Sequence, residues 1–163
     1  MKGSGVLAVL LIAAALANGL IAGASLDRSV IQLPARRKIG VPAYSAFSVA
    51  HELEGVGLIW YPMLGIGSAL LTIAAAVLAA ASGTAPLSGS PIYLAAIAAV
   101  MHSVATARAA PLNFRQRSAQ GDEAQLGRII DRFEKWHAAR AVLQLASFAG
   151  TVVALASLGR VWN

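Results

Sequence analysis

Four runs of this chain, residues 6–24, 56–81, 91–107 and 138–158, stay apolar almost without interruption. Crossing a hydrocarbon core takes ~20 apolar residues in a helix, and isolated core helices rarely remain apolar for that long. Lipid offers no partner to a bare N–H or C=O, so such segments must satisfy their backbone internally, as helices do. The predicted fold is all-α: an integral membrane four-helix bundle forming one domain over residues 1–163. The polar connections 25–55 and 108–137 lie on the same side.

Composition agrees. Hydrophobic residues make up 58% and charged residues 12% of the 163, against about a quarter charged in an average soluble domain. The absence of Cys removes disulfides, thiolate nucleophiles, iron–sulfur ligation and Cys-rich zinc sites together. Any metal would need His, carboxylate or amide ligands.

The basic balance (net +6) is explained by topology. The positive charges flank spans and do not form an isolated basic helix with interleaved aromatics, so nucleic acid is not an expected partner. If both termini and the 82–90 turn share one side, that side holds only Lys2 and Arg160. The other side collects the remaining eleven of thirteen basic residues, all seven acids and all three histidines. The positive-inside rule then puts both connections in the cytoplasm and both termini outside, with a bacterial inner membrane as the expected location and the bilayer as the first partner. Lys2, the apolar run and Ala22-Gly23-Ala24 also fit a signal peptide. The run is long for an h-region and reads as a retained span.

Span one carries Asn18 and the small residues Ala15, Gly19 and Gly23 four positions apart, a face suited to close helix packing. In the first connection, after Pro42, residues Tyr44, Phe47, His51 and Glu54 recur at helical spacing, which predicts one helix running into span two. Pro62 follows Trp60 and Tyr61 and should kink that span. The Gly-, Pro- and Ser-rich stretch 82–90 makes spans two and three antiparallel neighbours. Ser90 followed by Pro91 is a helix start with a hydroxyl cap. Span three carries His102, about 8 Å from its polar end at 1.5 Å per residue, and an ionisable group at that depth is a functional hypothesis by default. The second connection opens with Pro111-Leu112-Asn113 and stays polar to Gly121. From Leu126 to His137 apolar residues recur at helical spacing, extending span four as an amphipathic helix. Glu134, His137 and Arg140, three residues apart in turn, can face one cavity, with Trp136 placed as an interfacial anchor.

Three chemistries compete for these residues. A metal site would draw on His51, Glu54 and Glu134 with His102 or His137, because Glu-x-x-His is the di-iron bundle spacing; one such motif and one reversed pair fall short of the full set. A bis-histidine haem would need His102 as a buried ligand. The plain alternative makes the histidines interhelical or interfacial hydrogen-bonding residues, with Glu134 and Arg140 as a solvated pair. No nucleophile elbow, phosphate loop, zinc-protease motif or dinucleotide glycine pattern is present. Nor is the inverted repeat of common secondary transporters.

Leu26-Asp27-Arg28, Leu33-Pro34, Tyr61-Pro62, Pro111-Leu112-Asn113 and Trp136-x-x-x-Arg140, strung over four spans, resemble the small bacterial membrane proteins related to anthrone oxygenases. The resemblance implies oxidation of a phenolic, polycyclic substrate by O₂ with no tightly bound cofactor, the substrate's own carbanion supplying the electrons. In that reading His137 or His102 is the base, Arg140 and Asn113 stabilise the oxyanion, and Trp136, Tyr61 and Trp60 stack on the ring. A reading from another class is a non-catalytic membrane subunit, a homo-oligomer or one that docks a protein partner or anionic lipid.

Overall fold

The computed structural model describes residues 2–83 and 90–160, so most of the predicted 82–90 turn lies outside the described residues. The chain is all-helical: α1 (Lys2–Asp27), a π-helical turn (Arg28–Gln32), α2 (Leu33–Ile39), α3 (Val41–Ser48), a second π-helical turn (Val49–Leu53), α4 (Gly57–Ala81), α5 (Pro91–Arg115) and α6 (Glu123–Arg160). Four helices are long and apolar enough to cross a membrane, and the chain is an integral membrane protein. They form a ring in which α1 contacts α4 and α6, and α5 contacts α4 and α6. At 1.5 Å per residue the 35-residue helical run Gly5–Ile39 is about 52 Å long. It therefore projects well past the ~30 Å core.

Each span buries one stripe. On α1 this is Leu7, Leu11, Ala14, Asn18, Ile21, Ala22 and Ser25, and on α5 it is Ile92, Ala95, Ala98, Ala99, His102, Ala105, Ala109 and Asn113. These three- and four-residue steps are the seam spacing of a helix bundle. The expected packing face at Ala15, Gly19 and Gly23 is met only in part. A Cβ at Gly19 would stand 3.1 Å from the Phe148 ring, but one at Gly23 would meet nothing within 4 Å. α5 and α6 approach closely, and a Cβ at Gly150 would fall 2.9 Å from both the Ala95 Cβ and the Pro91 carbonyl oxygen.

The first connection departs from expectation. Its helix does not run into span two, because Gly55 adopts φ 53° and the chain reverses between Leu53 and Gly57. A Cβ at Gly57 would collide with the His51 carbonyl, so only glycine admits this turn. Upstream, the ladder of α1 loosens into a π turn just before Pro34, which has no N–H to give. There Leu33 N–H bonds the Arg28 carbonyl, five residues back. The second connection also begins later than predicted: α5 continues through Pro111 to Arg115. Pro111 is exposed, while Ala109, Asn113 and Gln116 prolong the buried stripe, so packing outweighs the proline. Ser90 starts α5 with an extended backbone and Pro91 behind it, but its hydroxyl makes no cap bond. The amphipathic extension of span four is present as the lower part of α6.

The two connections meet at one end of the bundle. Leu33, Tyr44 and Ile130 form a small core with Val41 packed on it. Arg36 bonds Asp131 at 2.9 Å and Glu134 at 3.1 Å, and Arg117 donates to the Leu53 carbonyl. α2, α3 and the foot of α6 thus form a floor beneath the spans.

Candidate functional site

Above that floor, α1, α4, α5 and α6 diverge around a cavity of about 400 Å³, within the range of small-molecule sites. Its charged and polar lining includes Arg28, Glu52, Tyr61, His102, Asn113, His137, Arg140 and Gln144; Ile21, Leu58, Pro62, Ile66 and Phe133 are among the apolar walls.

At the lower end the buried Arg28 forms an ion pair with the partly buried Glu52. Each sits on one of the two π turns. Insertions of this kind, frequent at functional sites, rotate side chains out of the α-helical register. The Arg28 guanidinium donates to Ser48 Oγ at 3.0 Å and lies 4.3 Å from the centroid of the Phe133 ring. Asn113 Nδ2 donates to Glu52 Oε2 at 2.7 Å, and Gln116 Nε2 donates to Asn113 Oδ1 at 2.6 Å. A buried ion pair is tolerated when further hydrogen bonds satisfy its remaining valences; here Ser48 and Asn113 supply two, and Arg28 Nε is left without a partner.

Higher in the cavity the two buried histidines differ. An arginine N–H of Arg140 lies 2.7 Å from His137 Nδ1. Since a guanidinium only donates, Nδ1 accepts and the ring proton sits on Nε2, which faces the Ser25 carbonyl at 3.2 Å. Both nitrogens are committed, and protonating Nδ1 would set an imidazolium against Arg140. His102 is freer. Its Nε2 lies 2.8 Å from Gln144 Nε2 and 3.2 Å from Thr106 Oγ1, while Gln144 Oε1 is buried without a partner. Rotating the amide would present that oxygen to an Nε2–H. Gln144 thus offers His102 Nε2 a partner whether or not that nitrogen carries a proton.

His137, Arg140, His102 and Asn113 all line this one cavity, as do Tyr61 and His51. Trp60 and Trp136 are exposed and are absent from its lining; they face outward where the aromatic belt of a membrane protein would lie. Among the described residues, no three His or carboxylate side chains gather as a metal would require. Glu134 is drawn to Arg36 and not to Arg140, Glu54 is exposed at the end of its π turn, and His51 meets Tyr61 Oη at 3.3 Å. His51, Glu54, Glu134, His102 and His137 therefore do not fit a metal set; His102 Nε2 and both ring nitrogens of His137 face protein partners.

Three site residues escaped the sequence reading. The α-helical spacing that selected His51 and Glu54 fails across the π turn, which aims Glu52 inward. Arg28 enters the sequence pattern as a topological charge and as part of Leu26-Asp27-Arg28, neither of which gives it a place in the site. Gln144 left a usable signal: a lone amide inside an apolar span, two turns beyond His137 on the same face.

Searched against protein-family models, curated proteins and solved structures, the chain matches none of them.

Proposed function

We propose that this protein is a membrane-embedded oxidase of the anthrone-oxygenase kind, acting on a flat, apolar, enolisable phenol. The observation that carries the reading is a cavity of about 400 Å³ with apolar walls in which His102 and Arg140 meet through one helical turn of α6. His102 bonds Gln144, and Gln144 is four residues from Arg140, hence its neighbour on that face.

His102 removes a proton from the activated ring carbon, and Arg140 stabilises the enolate oxygen that becomes negative. The carbanion delivers two electrons to O₂. The resulting hydroperoxide loses water and leaves a carbonyl, so one O₂ is consumed and one water released per quinone. His137 orients Arg140 through its Nδ1. Tyr61, which lines the cavity, can stack on the substrate; Asn113, bound to Glu52, holds the ion pair below the reacting centre. The basic connections belong to the cytoplasmic side of a bacterial inner membrane in this reading.

The test is O₂ uptake by purified protein in detergent or lipid discs, with an anthrone as substrate. His102→Ala and Arg140→Gln should each abolish uptake while the elution profile and helical signal are unchanged. Uptake at the normal rate in both variants refutes the assignment. A stoichiometric protein partner retained through purification, with no O₂ uptake, would favour the subunit reading.

A further inference from the structure

Among the described residues, two guanidiniums line the cavity, and Glu52 is the only carboxylate that does. Glu52 pairs with Arg28. Arg140 has no carboxylate: its one hydrogen bond among the described residues goes to the neutral ring of His137, and its Nε is buried with no partner. A cation withdrawn from water with nothing opposite is costly, and such charges are ordinarily paired. The site is thus short of one negative charge.

A second observation concerns access. Leu58 and Ile66 on α4, and Ser103, Ala107 and Phe114 on α5, line the cavity and are themselves exposed. They lie along the seam between α4 and α5. Ile66 stands nine residues inside α4, about 14 Å from its start, at a level where the surroundings are lipid. Four of the five are apolar, as an opening toward acyl chains would require.

Together these observations carry an inference that rests on the proposed function and narrows its substrate class. We infer that the cavity takes an apolar molecule bearing a single anionic group, a carboxylate or phenolate, which enters from the bilayer between α4 and α5 and sets its charge against Arg140. An amphiphile of this kind partitions into the membrane with its body among the lipid chains. It needs no aqueous path, and Arg140 supplies its counter-ion.

Binding of anthracene-2-carboxylate, its methyl ester and decanoate to the protein in lipid discs tests this without turnover. The carboxylate should bind at least about tenfold more tightly than the ester. Arg140→Gln should erase that preference and Arg140→Lys retain it, and Ser103→Trp, which narrows the seam, should slow association several-fold. Decanoate binding as well as the aromatic acid would extend the body to acyl chains and keep the anion. Equal affinity for acid and ester in the unmodified protein, or no binding of either acid, overturns the inference. Selective binding without O₂ uptake would refute the oxidase alone, whereas uptake with a neutral anthrone and no selectivity would refute only this narrowing.

Discussion

The two ends of the bundle share four helices and differ in what stands between them. At the end remote from the polar connections, Leu7, Leu11, Ala75, Ala76, Ala79, Ile92 and Ala154 make a dry core. Alanines there let backbones approach until even a methyl at Gly150 has no room. At the other end Arg28, Glu52, His102, His137 and Arg140 occupy the same interhelical space. Long polar side chains bonded to one another cannot interdigitate as alanines do, so the helices stay apart and a cavity remains. In lipid, where association depends on packing and hydrogen bonds, the closed end supplies much of the stability and the open end is free to hold a ligand.

The sharpest way to break this contrast is to remove one half of the ion pair. Glu52→Ala would leave Arg28 buried beside Phe133 and strip Asn113 Nδ2 of its acceptor. An uncompensated buried charge of this kind costs about 3–5 kcal/mol, the largest loss expected from any single change here. Unfolding in mixed detergent micelles would measure it. The double variant Arg28→Met with Glu52→Leu should recover most of the loss, because an apolar pair of similar volume removes the stranded charge. A double variant no more stable than Glu52→Ala would mean that the pair determines the shape of the end, and not merely its charge balance.

The same contrast governs what could be read in the sequence. The dry end was legible: apolar runs near 20 residues fix helices, and helices in lipid leave few alternatives. The polar end was legible as a place, since His102, Asn113, His137 and Arg140 do line one cavity, but not as a set of pairs. Glu134 answers to Arg36, 98 residues away in sequence, and no local spacing announces that. Glu52 was hidden by arithmetic: a five-residue π turn over Val49–Leu53 moves the inward position, so counting in threes and fours selects Glu54. Tyr44 shows where such counting holds, within α3, and Gly55 shows where it ends. Trp60 and Trp136 are aromatic and near the site in sequence, yet both face outward, because periodicity gives a face and not its neighbour.

At the closed end the sensitive position is Gly150. Alanine is the better helix former by about 0.8–1.0 kcal/mol, so an exposed Gly→Ala change should stabilise. At Gly150 the new methyl meets the Pro91 carbonyl and the Ala95 Cβ, and overpacking costs about 1–3 kcal/mol. Gly150→Ala should therefore destabilise, and Gly23→Ala, where the added Cβ has open space, should stabilise. Paired unfolding measurements test the opposite signs. A stabilised Gly150→Ala would show that α5 and α6 can separate at little cost, and the contrast between a rigid and an open end would fail.

The smallest effect concerns the polar contact at mid-bundle. Asn18 Nδ2 donates to Thr72 Oγ1 at 2.8 Å, linking α1 to α4, and this looks like a miniature of the pairing at the open end. The alternatives available to each partner make it weaker. Asn18 also donates to the Ala14 carbonyl at 2.8 Å, and Thr72 donates to the Ser68 carbonyl at 2.8 Å. Both of those bonds lie within single helices and survive when α1 and α4 part. Separation therefore loses one neutral hydrogen bond and leaves one Asn18 N–H without its acceptor, but strands no charge, unlike the Arg28–Glu52 pair. A double-mutant cycle of Asn18→Leu and Thr72→Val should give a coupling of about 0.6 kcal/mol, the average for interhelical bonds in a membrane protein. A coupling near that of the ion pair would mean that the polar groups of the two ends are worth the same, and that the cavity owes its existence to something other than its charges.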